Sequence, residues 1–131
     1  MITAQYAKDL IDLPKKLIEE NNIIDNLLFT PPEPFQKRFF MVSEDDRSLT
    51  FFLEVTQSAK NRTKFSLHCQ DEDTSYGLIR VDYNGRHKNP EVVNEHVPSS
   101  FIPFAGQWLD GFPGHIHYII DGYAPLNWAI P

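Results

Sequence analysis

Two short segments in the C-terminal half of the chain carry polar side chains on alternate residues. The first contains Arg80 and Asp82, and the period of two in a β-strand places both on one face. The second contains His115 and His117, which share a face by the same rule. If the two segments are neighbouring strands with these faces aligned, the four side chains form one cluster. Imidazole exchanges protons near pH 7, so such a cluster suits acid–base chemistry.

A third imidazole, His87, follows the Asn84-Gly85 pair, which is a strong turn signal. This position brings its ring to the edge of the expected cluster. The competing interpretation is a solvated sheet face, because antiparallel sheets often present alternating polar residues to water. Arg80 and Asp82 are then an ordinary surface ion pair of little energetic consequence. Two imidazoles beside a guanidinium and a carboxylate are an unusual set for a passive surface, and we treat them as a candidate site.

The leading hypothesis is metal-free cleavage or binding of an RNA phosphodiester, which requires no cofactor. One imidazole, from His115 or His117, takes the proton of the 2′-hydroxyl group, and the other protonates the leaving oxygen. His87 is the substitute for either. Arg80 binds the phosphate, and Asp82 orients an imidazole by accepting from its second N–H. With these roles the protein is a toxin-like or accessory protein that acts on RNA.

Two other functions remain open. The spacing His115-x-His117-x-x-x-Asp121 matches metal centres of the cupin type, although cupins take a further ligand from a later strand and only residues 122–131 follow here. The alternative is a non-catalytic module or inhibitor that binds a protein partner. Its candidate surface is formed by apolar residues of a long loop: Phe101, Ile102, Phe104, Trp108 and Phe112.

The site positions also belong to a longer pattern: Arg80-x-Asp82-x-Asn84-Gly85-x-His87-x-Asn89-Pro90, His115-Ile116-His117, Gly122-Tyr123 and Trp128-Ala129-x-Pro131. Over residues 48–131 this pattern resembles an uncharacterised family of small proteins from bacterial genomes, plasmids and prophages, a domain of unknown function. The resemblance implies the same site residues and adds Asn89 and Trp128 as binding residues. Residues 91–114 are a longer, aromatic insert than the family has at this place, so a shared substrate or partner does not follow.

Periodicity and chain breakers predict the elements that position these residues. Thr3 is a suitable N-cap for a short first helix, and Asp12 with Pro14 begins a second helix that ends near Asn22. The prolines of residues 31–34 predict an extended link. Strands are predicted at 37–43, 48–56, 61–70, 76–83 and 115–121. The prediction is one α+β domain over residues 1–131. It has a helical start (1–30), then an antiparallel meander (35–131) with a long ordered loop, 86–113, before the last strand.

Composition limits the classes of function. The chain has 131 residues, a formal net charge of −6 and one cysteine, Cys69. The acidic balance disfavours non-specific binding to nucleic acid, and the short basic run from Lys60 to Lys64 is interpreted as the solvated start of a strand. One cysteine excludes an intrachain disulfide and favours a cytoplasmic location. No signal peptide and no membrane span are expected, and His68 and His96 receive no role.

Overall fold

The described part of the chain, residues 2–20, 22–24, 35–61 and 63–131, forms one antiparallel β-sheet with a short α-helix in this computed structural model. The helix is α1 (Ala4–Asp12), and a 3₁₀ turn covers Ile102–Phe104. The strands in chain order are β1 (Lys15–Glu19), β2 (Asn22–Ile24), β3 (Phe35–Ser43), β4 (Thr50–Gln57), β5 (Phe65–Asp71), β6 (Gly77–Tyr83), β7 (Gly114–Tyr118) and β8 (Trp128–Ile130).

The order of the strands in the sheet is β2-β1-β3-β4-β5-β6-β7-β8, and each neighbouring pair is antiparallel. From β3 onward each strand lies beside the next one along the chain, which is the predicted meander. The helix α1 lies against β6. This order places β6 and β7 side by side near one edge of the sheet, where the candidate residues are.

The prediction of an α+β fold with several N-terminal helices is wrong. The first predicted helix is α1, and the Thr3 side chain accepts from the Tyr6 N–H at 3.1 Å as its N-cap. The second predicted helix, from Asp12 to Asn22, is instead the β1–β2 hairpin. In the described residues α1 is therefore the single α-helix, and the fold is mostly sheet.

The hairpin replaces the second helix because partners from distant parts of the chain decide its structure. Pro14 ends α1, and the Lys15 Nζ group donates to the carbonyl oxygens of Leu10, Ile11 and Leu13 just before it. Residues 15–18 of β1 then pair with β3, which supplies the backbone hydrogen bonds that an isolated helix would make internally. This pairing was not visible in the local periodicity.

The strand predictions of the meander are confirmed, with shifted ends: β5 begins at Phe65 instead of 61, and β7 ends at Tyr118 instead of 121. The strand β8 was missed, because its three residues are too short for a pattern and were taken into the tail. It pairs with β7, so the long loop does not precede the last strand. The predicted link at 31–34 and part of the predicted helical start, 25–30, lie outside the described residues.

The long loop between β6 and β7 is ordered by its own backbone contacts, as predicted. Asn84 N donates to the Pro113 carbonyl at 2.9 Å and closes the base of the loop. Inside the loop the backbones of Lys88 and Trp108 form an isolated antiparallel β-bridge. The buried part of the loop packs on β8, where Phe101 and Trp128 belong to one apolar cluster. No helix in the described part of the chain has both the length and the apolar character needed to cross a membrane.

Candidate functional site

The pairing of β6 with β7 brings the four predicted polar side chains together. Arg80 lies opposite His117, and Asp82 lies opposite His115. Side chains directly opposite each other in an antiparallel pair project to the same face. The expected alignment of the two polar faces is therefore confirmed.

The Asp82 carboxylate is at the centre of the cluster. Its Oδ2 atom lies 3.0 Å from His117 Nε2 and 3.5 Å from His115 Nε2. Arg80 Nε donates to Oδ1 at 3.0 Å and to Oδ2 at 3.2 Å. One carboxylate thus contacts a guanidinium and two imidazoles.

The backbone fixes which ring nitrogen of His117 carries a hydrogen in either protonation state. Its Nδ1 atom lies 2.9 Å from the Leu126 carbonyl oxygen, which can only accept, so Nδ1 carries a hydrogen. Its Nε2 atom lies 3.0 Å from both Asp82 Oδ2 and Arg80 Nη2. A neutral ring accepts from Arg80 and turns a lone pair toward the carboxylate, whereas a charged ring donates to Asp82 and turns an N–H toward the guanidinium. Neither protonation state satisfies both contacts.

His115 is buried without hydrogen bonds. Its side chain is 0% exposed, and within the described residues neither Nδ1 nor Nε2 has a hydrogen-bond partner. Its ring centroid lies 4.8 Å from that of His117, in a tilted edge arrangement. A buried polar atom without a partner costs free energy, about 1–3 kcal/mol for each atom. Such a group calls for a compensating ligand or a functional reason.

The third predicted imidazole also reaches the cluster. The ring centroid of His87 lies 4.6 Å from that of His117 and 6.1 Å from that of His115. Its Nε2 atom donates to the Asn127 carbonyl oxygen at 2.9 Å. His87 therefore packs against the two strand histidines while the chain segment before β8 holds its ring.

The surroundings shift the pKa of His115 and His87 toward the neutral ring and the pKa of Asp82 toward the charged carboxylate. Burial lowers the pKa of His115, and the neighbouring His117 lowers it further. Burial likewise lowers the pKa of His87. Burial on its own would raise the pKa of Asp82, but the hydrogen bond with His117 and the charge of Arg80 outweigh it and hold that pKa at about 2.

A groove of about 360 Å³ opens beside Arg80 and Asp82. Three cationic side chains line it: Lys64, Arg80 and Arg86. Phe65 and Tyr83 line it as well, and their rings stack with centroids 4.5 Å apart. The groove therefore combines a local excess of positive charge with an aromatic surface.

Residues 2–131 match a family described as a family of unknown function, DUF6978. The chain belongs to the DUF6978 family. The match covers more of the chain than residues 48–131, on which the resemblance rested. No curated protein and no solved structure matches the chain.

Two residues predicted to bind a ligand are buried in this DUF6978 protein. Asn89 is buried, and its side chain makes a pair of 2.8 Å hydrogen bonds with the backbone N–H and carbonyl of Ala129 in β8. Trp128 is 0% exposed inside the apolar cluster beneath the loop. Neither side chain is exposed to solvent, and binding by these two residues stays a prediction.

Of the remaining predicted residues, Asp121 lies against the start of α1, whereas Trp108 lies on the surface beside the groove. Asp121 Oδ1 accepts from the Ala4 N–H at 2.8 Å at the start of α1, and among the described residues Asp121 is not grouped with His115 and His117. Asp82 takes its place beside His115 and His117. Trp108 is 51% exposed, and the Arg86 guanidinium lies 4.6 Å from the centre of its ring. Trp108 thus remains available as a binding residue of the DUF6978 protein.

Sequence reasoning missed two of the three cations of the groove. Lys64 was assigned to a solvated start of a strand, and Arg86 was not singled out. Both come from segments outside the strands that carry the histidines, so no alternation rule joins them to Arg80. The basic run before β5 was the only local signal for Lys64. Only the pairing of β5 with β6 in the DUF6978 protein shows that Lys64 lies beside the same groove as Arg80.

Proposed function

We propose that the protein binds the phosphodiester backbone of single-stranded RNA in the groove beside Arg80. The observation that carries this proposal is the convergence of Lys64, Arg80 and Arg86 on one groove of a chain whose formal net charge is −6. Phosphate groups dominate the affinity of proteins for nucleic acids, and clustered Lys and Arg are the side chains that neutralise them. The local charge of the groove is opposite in sign to that of the whole chain.

The charges of the groove are not fully neutralised within it. Asp82 is the carboxylate that lines the groove together with the three cations, and it is bound to Arg80. Arg86 pairs with Asp110 at 3.4 Å, where both side chains are largely exposed, so the pair is weak and easily exchanged for a phosphate. The groove therefore offers guanidinium and ammonium donors to an anionic ligand.

The aromatic and hydroxyl groups of the groove favour RNA over a simple anion. Tyr83 is partly exposed and stacks on Phe65, which gives a flat surface for an unpaired base. Ser58 and Ser66 also line the groove, and hydroxyl groups can recognise the 2′-hydroxyl of ribose. Trp108, beneath Arg86, offers a second stacking surface next to the groove.

Binding has better support than cleavage. Direct acid–base catalysis requires an imidazole within hydrogen-bond reach of the substrate. The side chains of His115 and His117 are at most 1% exposed, behind Asp82 and Arg80. The pKa of Asp82, at about 2, makes this carboxylate a poor proton acceptor near pH 7. Metal-free cleavage with His115 and His117 as acid and base stays a prediction, and we place the proposal on binding.

The test is fluorescence anisotropy of a labelled single-stranded RNA of twelve nucleotides, at 50 mM salt and in EDTA. Each lost phosphate contact removes a factor of roughly [salt]^−0.7, which is about eightfold under these conditions. We expect Lys64→Ala and Arg86→Ala each to weaken binding by about this factor. The exposed Lys8→Ala on α1 is the matched control and should leave the affinity unchanged. Absence of binding at micromolar protein, or equal loss in all three variants, would refute the proposal.

A second candidate function is binding of a protein partner through the loop. Val92, Ile102, Trp108 and Phe112 are exposed apolar side chains between β6 and β7. The same anisotropy assay with Trp108→Ala separates the two functions. Weaker RNA binding assigns Trp108 to the groove, whereas unchanged RNA binding favours a separate protein-binding surface.

The bacterial or prophage origin and the cytoplasmic location also belong to this proposal. The origin rests on the resemblance of the C-terminal motifs to a family of bacterial and prophage proteins, and the location rests on the single cysteine. The genes next to family members would test the setting, since an adjacent small repressor gene favours a toxin and adjacent anti-defence genes favour an inhibitor.

A further inference from the structure

We propose that Asp82, His115 and His117 form a binding site for a divalent first-row transition metal ion, such as Zn²⁺ or Fe²⁺. The side chains offer two imidazole nitrogens and a carboxylate oxygen, all within 4.8 Å of one another. Two imidazoles with one carboxylate are the ligand set of many zinc and non-haem iron centres. This proposal goes beyond RNA binding and does not depend on it.

The first observation that points to an ion is the state of His115. Its side chain is fully buried and has no hydrogen-bond partner among the described residues, yet its Nε2 faces the Asp82 carboxylate at 3.5 Å. A neutral imidazole has one nitrogen lone pair, and a metal ion is the ligand that this lone pair and the nearby carboxylate would share.

The second observation is the hydrogen bond on the far side of His117. The Leu126 carbonyl accepts from Nδ1 at 2.9 Å, which leaves Nε2 as the nitrogen that faces Asp82. Histidines that bind metals usually donate their other N–H to a carbonyl or carboxylate, because this fixes the tautomer and the ring orientation. The Leu126 carbonyl is therefore a preformed outer partner for the second metal ligand.

The distances within the cluster are close to those a metal requires. Zinc and similar ions bind nitrogen and oxygen at about 2.0–2.2 Å, so two ligand atoms on one ion are at most about 4.4 Å apart. His117 Nε2 and His115 Nε2 lie 3.0 Å and 3.5 Å from Asp82 Oδ2, and no pair of ligand atoms exceeds 4.8 Å. Side-chain rotations that move the ligand atoms by a few tenths of an ångström bring every pair within about 4.4 Å.

Arg80 competes with an ion for His117 Nε2, so a variant of Arg80 distinguishes metal binding from RNA binding. Its Nη2 atom lies 3.0 Å from His117 Nε2, so a cation on that nitrogen must displace it. Arg80→Gln removes this competing positive charge, and we expect it to leave metal affinity unchanged or to raise it. The same variant removes a groove cation and should weaken RNA binding in EDTA.

The experiment uses the full chain, purified without a His tag and stripped of metal with EDTA. Titration with Co²⁺, followed by visible absorption, and with Zn²⁺, followed by calorimetry, should show one ion per chain. We expect His115→Gln and Asp82→Asn to weaken binding roughly 100-fold, in line with the importance of ligand and outer-shell groups at metal sites. The control variants are His96→Gln, at an exposed position, and His68→Gln, on the neighbouring strand β5, and both should bind as the wild type does.

Circular dichroism shows whether each variant is folded. If the ligand variants do not fold, ¹⁵N spectra of the wild-type histidines decide instead, because Zn²⁺ should shift the ring nitrogens of His115 and His117 and not those of His96. Absence of one-to-one binding, or equal binding by folded His115→Gln, or a zinc shift confined to His96, overturns the proposal. RNA binding is measured in EDTA, so failure of either proposal leaves the other intact.

Discussion

Replacement of Asn89 by alanine tests whether this residue holds the last strand in place. Asn89 Nδ2 donates to the Ala129 carbonyl at 2.8 Å, and the Ala129 N–H donates to Asn89 Oδ1 at 2.8 Å. Nδ2 also donates to the Phe104 carbonyl at 3.2 Å. Through these bonds one side chain gives the outer edge of β8 the partners that a further strand would supply.

The magnitude follows from the backbone groups that lose their partners. Ala129 is 0% exposed, so in Asn89→Ala its N–H and carbonyl are both buried without a hydrogen bond. Each such group costs about 1–3 kcal/mol, and two of them give about 4 kcal/mol. Domains of this size have free energies of unfolding of about 5–15 kcal/mol, so the variant should lose a large share of its stability.

Urea denaturation followed by circular dichroism measures this loss, and Asn22→Ala is the control. Asn22 is exposed in β2, and its Nδ2 atom donates to the Glu20 carbonyl oxygen at 3.3 Å in an exposed hydrogen bond. Its replacement should therefore change the free energy of unfolding by less than about 0.5 kcal/mol. Amide hydrogen exchange at Ala129 should become faster in Asn89→Ala. If Asn89→Ala unfolds at the same urea concentration as wild type but loses RNA binding, the structural assignment is wrong and Asn89 is a binding residue.

Two further predictions concern β5 and β6. Burial and the nearby positive charge of Arg80 lower the pKa of His68, so the unfolded chain binds the proton more tightly and stability should fall as the pH drops below about 6.5. Urea midpoints between pH 7.5 and 5 should fall less in His68→Gln than in wild type, and an equal fall in both contradicts the assignment; the exposed His96→Gln is the control. A methyl group at Gly77 would lie 2.4 Å from His68 Nε2, whereas one at Gly111 meets nothing within 4 Å. Gly77→Ala should lower the free energy of unfolding by about 1–3 kcal/mol and Gly111→Ala should not, and equal stability of the two variants in thermal denaturation would count against this packing.

Alternation predicted the centre of the site because strand geometry fixes it. Once two strands are neighbours, the period of two decides which side chains share a face, and Arg80, Asp82, His115 and His117 needed only that rule. The burial of the two histidines did not follow from it. The sequence pattern of a polar strand face is the same whether water or a loop covers that face. Here the segment before β8 covers it and supplies carbonyl oxygens to His117 and His87.

The errors in the fold come from short elements whose structure is set by distant partners. The residues after Pro14 have a spacing that suits a helix, but β3 offers them a sheet edge. The three residues of β8 have no period to detect, and their place in the sheet is set by pairing with β7 and by contacts with the long loop. Asn89 and Trp128 were noticed for their residue types, and in the structure both contact β8 or the apolar cluster beneath the loop.

A single lone pair connects the two proposed sites. His117 Nε2 is contacted by Arg80 Nη2 at 3.0 Å, while Arg80 Nε holds the Asp82 carboxylate, so the guanidinium is kept at the inner wall of the groove. If both proposals hold, an ion that takes the lone pair would displace Nη2 and so free a donor for a phosphate in the groove. In the same way, a phosphate that draws the guanidinium outward would free the lone pair for an ion. Because coupling between two binding equilibria is reciprocal, each ligand would then favour the other. Neither protonation state of His117 satisfies both Arg80 and Asp82. An ion at Nε2 together with a phosphate at Arg80 would satisfy both contacts.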